Sequence, residues 1–283
     1  MNDIKNKELA LLNSEPFFDV ELSSKCNANC IMCPRNKLTR KHELMSLDAI
    51  KTLSGWFPAD AKVMLCGLGE PLLNRNIHFL ISSLKARNLE VGITTNGFLL
   101  TEDVVKLIVK DGISLIQVSF NGSTEKIYSS IMKNSCFDSV VKNLRYLAKI
   151  KPPELTVKLA VTIQEKNKDD IEGIKKFASS LGFEVFLRNI HSRSGALALA
   201  NTQVNNSAGC GILPKVTFIA ANGDVLSCCQ DLGGKFILGN VNKNSFEEVV
   251  RKKREIIEKD SWFSICKYCD DEYRHVLLSG GVI

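Results

Sequence analysis

Ten cysteines stand among the 283 residues, and most fall in two groups. Cys26, Cys30 and Cys33 share one short stretch, with Pro34 directly after. Cys210, Cys228, Cys266 and Cys269 make a second set, with Cys229 beside Cys228 and with Cys66 and Cys136 alone in between. In a reducing compartment, thiols gathered this way point to a metal before a disulfide. The CxxxCxxC stretch offers three soft ligands that converge on one point. A structural zinc site takes four ligands, so three thiolates leave a coordination position open. An iron–sulfur cluster with one iron not held by the protein suits that geometry. A zinc site that borrows a distant ligand is the alternative.

The second set ends in CxxC. Its hairpin thiol, Cys228, follows an Asn222-Gly223 turn. Four such thiolates can bind zinc or a second [4Fe–4S] cluster. Cys66, at a strand end, reads as a small buried apolar residue. Cys136 has no evident role.

Both sets need elements to carry them. Short apolar runs alternate with longer amphipathic ones. Strands are expected at 17–22, 63–66, 90–94, 115–120, 156–161 and 184–187. Helices are expected at 47–57, 77–87, 102–110, 125–132 continuing through 138–149, and 168–181, with Ser46 and Thr101 as N-caps. Six successive βα units imply a parallel sheet with crossover helices, which fits most of a (β/α) barrel; periodicity alone does not distinguish that from an open sheet. The rhythm breaks near residue 190. The stretch 191–209 is rich in Gly, Ser and Asn and reads as a linker. After it come a hairpin with a two-residue Asn222-Gly223 turn and a helix opened by the capping-box spacing Ser245 to Glu248. The expected organisation is a main domain over 1–205 and a small α+β domain over 206–283.

Cys26-Asn-Ala-Asn-Cys30-Ile-Met-Cys33 after a first strand resembles the signature of the radical S-adenosylmethionine (SAM) enzymes. "GLGEP" at 67–71, "TTNG" at 94–97, "VSFNG" at 118–122 and "AVTIQEKN" at 160–167 follow in the order that family shows, each at the C-terminal end of a strand. Parallel barrels place their sites there. The resemblance covers residues 16–190 and implies a partial (β/α)6 TIM-like barrel. It implies that Cys26, Cys30 and Cys33 hold three irons of a [4Fe–4S] cluster, with SAM on the fourth. One-electron cleavage then gives a 5′-deoxyadenosyl radical that abstracts hydrogen from a substrate C–H bond. Glu70 and the backbone of Gly67–Gly69 would meet the methionine ammonium. Ser119 and Asn121 would bond the ribose or the carboxylate, Val161–Ile163 with Thr162 would line the adenine, and Arg188 would pair with the carboxylate. Met32 stands where the family often has an aromatic residue, and it takes that cofactor-facing position here.

The C-terminal spacing resembles the twitch form of the SPASM appendage, which implies one auxiliary [4Fe–4S] cluster on Cys210, Cys228, Cys266 and Cys269, and two clusters in all. Adjacent residues at a strand end face opposite ways. If Cys228 turns to the auxiliary cluster, Cys229 turns toward the barrel mouth, where a thiol can return a hydrogen atom to a carbon radical. The layout resembles radical SAM epimerases. Dehydrogenation of an alcohol, with the auxiliary cluster taking an electron, and peptide modification are the rivals, and a non-catalytic metal-stapled binding module is the reading from another class. No peptide-recognition domain precedes the barrel, which tilts the expected substrate toward a sugar or aminoglycoside, or a short peptide. A reductant such as flavodoxin or ferredoxin is implied.

Composition limits the rest. Apolar residues are 45% and charged residues 24%, as in ordinary globular proteins. The N-terminus lacks the apolar core of a signal peptide, and no apolar run is long enough to span a bilayer, so the expected location is the cytoplasm, with no membrane partner. Net charge is +6. The densest basic run, 251–255, reads as a solvated helix face beside Glu247, Glu248 and Glu258; no nucleic-acid motif is present. His191, just past the sixth strand, is expected in a surface or loop role, with contact to substrate as the alternative.

Overall fold

The computed structural model of the chain describes residues 2–133, 136–197 and 209–281. The chain opens with helix α1 (Asn2–Leu12) and then β1 (Phe17–Val20), α2 (Leu47–Trp56), β2 (Lys62–Leu65), α3 (Ile77–Lys85), β3 (Glu90–Thr95), α4 (Glu102–Lys110) and β4 (Leu115–Ser119). Two helices, α5 (Glu125–Met132) and α6 (Phe137–Ile150), precede β5 (Thr156–Ile163), α7 (Ile171–Ser180) and β6 (Glu184–Asn189). Beyond these come α8 (Ile212–Lys215), β7 (Val216–Ile219), β8 (Asp224–Leu226), β9 (Ile237–Asn240), α9 (Phe246–Glu258) and α10 (Tyr273–Val276).

Among the described residues the strands form one sheet in the order β6-β5-β4-β3-β2-β1-β7-β8-β9. Pairing is parallel from β6 through β7 and antiparallel across β7, β8 and β9. The first six strands, each joined to the next by a crossover helix, are the partial (β/α)6 barrel. The hairpin continues its sheet, because β7 lies beside β1 with Phe17 opposite Val216 and Val20 opposite Ile219. The expected boundary at 205–206 lies outside the described residues.

Alternation along each strand decides what lines the interior. Residues of one parity, such as Asp19, Met64, Thr94, Ser119, Thr162 and Arg188, face a central cavity. Those of the other parity, including Phe18, Val63, Val91, Ile93, Val118 and Leu159, are buried under the helices. Phe18 packs edge-on against Phe57, with ring centroids 4.8 Å apart, and lies 5.2 Å from Phe246 of α9, so the C-terminal helix shares the barrel's core.

Several expectations need correction. The helix foreseen over 125–149 is two, because Lys133 takes a left-handed conformation, φ 55°, at the end of α5. Thr101 has the extended backbone of an N-cap but makes no side-chain capping bond, whereas Ser46 accepts from the Ala49 N–H. The hairpin loop has three residues: Ala220 bonds Asp224 across it, and Gly223, φ 84°, lies between them. That is the turn-plus-bulge form, which also needs glycine at its left-handed position. The 251–255 run is not wholly solvated, since Lys253 is buried with Nζ donating to Val216 O and Thr217 Oγ1, both at 2.8 Å. Strand β9 and helix α1 were not foreseen. The capping box at Ser245 and Glu248 is present as expected.

Candidate active site

The CxxxCxxC stretch leaves β1 as a loop with almost no regular structure, so its shape comes from side-chain and backbone bonds. Ser23 Oγ donates to Lys25 O at 2.8 Å, Arg35 Nη2 donates to Ala28 O at 3.1 Å, and the Cys33 N–H donates to Cys30 O at 3.0 Å. The Ala28 N–H and Asn96 Nδ2 point at Cys26 Sγ, at 3.4 and 3.8 Å. Asn96 also holds Asn27 Oδ1 at 2.7 Å. Burial pushes the Cys30 thiol up to about 12, and the Cys33 and Cys26 thiols beside it push the same way. Three thiols so placed give up their protons when a metal binds them.

The loops after β2 and β3 lock onto this one. The Glu70 N–H donates to Lys25 O at 2.9 Å. A Cβ at Gly69 would run into the carbonyl oxygens of Ser23 and Lys25, and one at Gly67 would strike the Glu21 side chain. The Glu70 carboxylate accepts from the Leu72 N–H, Thr95 Oγ1 and the Asn96 N–H at 3.2, 2.7 and 2.8 Å. Burial nonetheless pushes it up to about 7. Glu70 thus joins GLGEP to TTNG and still borders the cavity. A carboxylate has about four acceptor sites, so one remains for a ligand ammonium. Asn121 is equally engaged: Oδ1 accepts from the Thr162 N–H at 2.8 Å and Nδ2 donates to Met132 Sδ at 3.3 Å. Met32, Gly67, Gly69, Ser119, Asn121, Thr162 and Arg188 all border one cavity of about 380 Å³, within the usual size range of small-molecule sites.

The second thiol set gathers near α8 and β7, with Cys210 and Cys228 packed against Ile212, Val216 and Leu277. Cys210 precedes α8, Cys228 follows β8, and Cys266 and Cys269 lie in and just after the turn at Ser264–Tyr268. Burial raises all four thiols; Cys266 and Cys269 also raise Cys210, and Cys229 and Cys210 also raise Cys228. Glu8 of α1 accepts from the Cys210 N–H at 2.7 Å, and Arg274 reaches Cys266 O at 3.2 Å. The donor sets are all-thiol, and iron–sulfur clusters take such sets.

Cys229 packs beside Cys210 and Cys228 against Val216 and Leu277 but also borders the central cavity. Besides burial, Asp271, Asp19, Arg193 and Arg188 bear on its thiol, and Gln230 Nε2 lies 3.8 Å from its Sγ. Burial raises it far above the usual range, so it stays an S–H. Arg188 does not reach out alone. It pairs with both oxygens of Asp271 at 3.3 Å and lies over the Tyr273 ring at 4.9 Å.

Sequence reasoning missed several residues here. Asp19, on β1, accepts from the Cys66 thiol at 3.2 Å, and burial pushes it up to about 6. Cys66, expected to be buried, is partly exposed and lines the cavity. Glu21 is buried between Arg40 (2.8 Å), the Leu68 N–H (3.0 Å) and the Ala221 N–H (3.2 Å). Asp270 and Asp271 directly follow Cys269; two acids after a CxxC were the signal that could have found them. His191 is in the cavity wall and buried, not on the surface, and burial with Arg193 nearby pushes it down to about 4.

Known proteins carry the same pattern. An uncharacterized Methanocaldococcus jannaschii protein is 26% identical over 87% of this chain and 87% of its own length. A GTP 3′,8-cyclase of Aliarcobacter butzleri is 24% identical over 66% of this chain, which spans only 60% of that enzyme. Among solved structures, BtrN in complex with AdoMet and 2-DOIA superposes with a TM-score of 0.62 at 18% identity, over 92% of this chain and 94% of that one. Streptococcus suis SuiB bound to precursor peptide SuiA gives 0.70 at 15% identity, over 94% and 74%. An iron–sulfur cluster-binding domain profile, SPASM, matches residues 210–270. The Radical SAM superfamily profile matches residues 20–178, which with the cysteine loop and its supporting glycines makes this chain a member of the Radical SAM superfamily, with an iron–sulfur cluster-binding domain at its C-terminal end.

Proposed function

We propose that the protein is an epimerase acting on a sugar-like molecule or a short peptide, with Cys229 as the hydrogen-atom donor. When bound, SAM and the first cluster supply the radical that opens a substrate C–H bond. The chain's own residues do the rest. Cys26, Cys30 and Cys33 hold the first cluster, and Glu70, the Gly67–Gly69 backbone, Ser119, Asn121 and Thr162 border the space for SAM. Cys210, Cys228, Cys266 and Cys269 hold a second cluster. The observation that carries the epimerase reading is that Cys229 faces the cavity while its neighbour Cys228 belongs to the thiol set. An S–H bond in the cavity wall can give a hydrogen atom to a substrate radical from the face opposite the abstraction. A low-potential reductant such as flavodoxin or ferredoxin then supplies an electron to the thiyl radical, and a proton restores the thiol.

A second reading, two-electron oxidation of an alcohol, is favoured by Asp19. Its carboxyl borders the cavity without an ion-pair partner among the described residues and can accept a hydroxyl proton.

The test is turnover of candidate substrates in deuterated water. The epimerase incorporates one solvent deuterium at one carbon. Cys229→Ala still releases 5′-deoxyadenosine but forms no epimer. A carbonyl product made equally well by Cys229→Ala overturns the reading in favour of oxidation.

A further inference from the structure

The loop that leaves β6 brings an imidazole and a guanidinium to the cavity, neither paired with a carboxylate among the described residues. His191 is 8% exposed, and its Nδ1 has no hydrogen-bond partner among the described residues. Arg193, two residues on, borders the same cavity, and among the described residues no carboxylate lies within ion-pairing distance of it. No acid of the cavity pairs with Arg193 among the described residues, and two of the three are already well bonded. Asp271 takes Arg188 through both oxygens and Gln230 Nε2 at 2.7 Å. Asp19 accepts from Cys66, and Glu70 from three donors. Arg193 is half-buried, and a partly desolvated guanidinium without a counter-charge at hand favours an anion beside it; a buried imidazole nitrogen left unbonded is costly.

The loop is built to keep them there. Arg193 and Ser194 adopt left-handed backbone, φ 55° and 51°, which side chains rarely take. Asp270 fixes that shape by accepting from the Ser192 N–H at 2.7 Å and from Ser192 Oγ at 2.8 Å. The Gly195 N–H closes on Ser192 Oγ at 3.0 Å, and the Leu197 N–H on Ser192 O at 2.8 Å.

We infer that Arg193 and His191 form an anion-recognising subsite that takes a carboxylate or phosphate group of the substrate and holds the rest of the molecule against Cys229. The guanidinium supplies charge and a planar fork of donors suited to carboxylate and phosphate oxygens. The neutral imidazole supplies one more N–H. This inference rests on the radical SAM reading and narrows its substrates to acidic ones, such as a sugar phosphate or the carboxylate of a short peptide; a purely cationic aminoglycoside does not fit.

The probe is radiolabelled inorganic phosphate, measured by equilibrium dialysis against the anaerobic, cluster-loaded protein saturated with SAM, with acetate as competitor. The expected result is one saturable phosphate site per chain that acetate displaces. Arg193→Gln weakens it by about tenfold or more, the loss of one charge-assisted bond. Arg193→Lys retains most of the binding. His191→Gln, which leaves every charge in place, weakens it by about threefold. SAM affinity and iron content stay at wild-type values in all three variants. The inference is overturned if wild-type protein shows no saturable phosphate site, or if Arg193→Gln and His191→Gln bind phosphate as wild type does. It is also overturned if SAM affinity falls instead, which would give Arg193 to the SAM carboxylate. Dithionite-driven release of 5′-deoxyadenosine is measured in the same samples. Its presence without a phosphate site fails the subsite alone; its absence fails the radical reading beneath it.

Discussion

Asp19 shows how one side chain can carry a cost to the fold. It sits on β1 with only a thiol donor in reach, and burial pushes its carboxyl from 3.8 up to about 6. An acid whose folded pKa is raised holds its proton longer when folded than when unfolded. Stability is therefore highest below pH 3.8 with respect to this group, falls as pH rises through about 6, and is constant above that. Asp19→Asn removes the penalty. At neutral pH the variant is expected to be more stable than wild type by up to about 3 kcal/mol, and the difference should vanish near pH 4. Thermal unfolding of the two proteins across that range checks it; a constant difference would contradict the burial argument. The motif residues differ in kind. Gly69 is fixed by sterics alone, since a Cβ there meets the backbone of the cysteine loop.

At the scale of elements, the loop after β6 depends on a residue far away in sequence. Ser192 is tied to Asp270, 78 positions on. Ser192→Ala removes one hydroxyl that both donates to Asp270 and accepts from the Gly195 N–H. Its expected cost is about 1 kcal/mol, and faster hydrogen exchange should be confined to residues 191–197, with iron content unchanged. Exchange spreading into β6 would mean the loop is held by something else. Helix α9 is the contrasting case, because its start is written locally. Ser245 and Glu248 bond each other's backbone, and that capping box was legible from spacing. The break between α5 and α6 was not, because a left-handed lysine leaves no mark in a hydrophobic pattern.

At the scale of the molecule, the C-terminal segment is joined to the barrel at many points. Strand β7 extends the sheet beside β1, Lys253 bonds β7 from α9, and Trp56 of α2 donates to Asn244 O at 2.7 Å. Glu21 is where the joints meet. Its buried carboxylate holds Arg40 of the cysteine loop, the amide of Leu68 in the loop after β2 and the hairpin amide of Ala221. Glu21→Gln keeps the shape but leaves Arg40, 11% exposed at its side chain, without its counter-charge. The expected loss is about 3 kcal/mol, seen as a fall in melting temperature, against about 1 kcal/mol for Ser245→Ala. Equal losses would show that Glu21 is an ordinary packing residue. Among the described residues no helix is long and apolar enough to cross a membrane.

The sequence by itself determined the clustering of the cysteines, the order of the barrel elements and the motifs at the strand ends. Cysteine spacing, strand alternation and glycine placement are local properties, and local sterics and periodicity express them directly. Only the tertiary structure decided that the hairpin joins the barrel sheet, that Cys229 borders the cavity, and that His191, Arg193 and Asp19 meet there. Those facts depend on contacts between residues far apart in the chain. Burial then removes the solvent that would otherwise make a lone histidine, arginine or aspartate unremarkable.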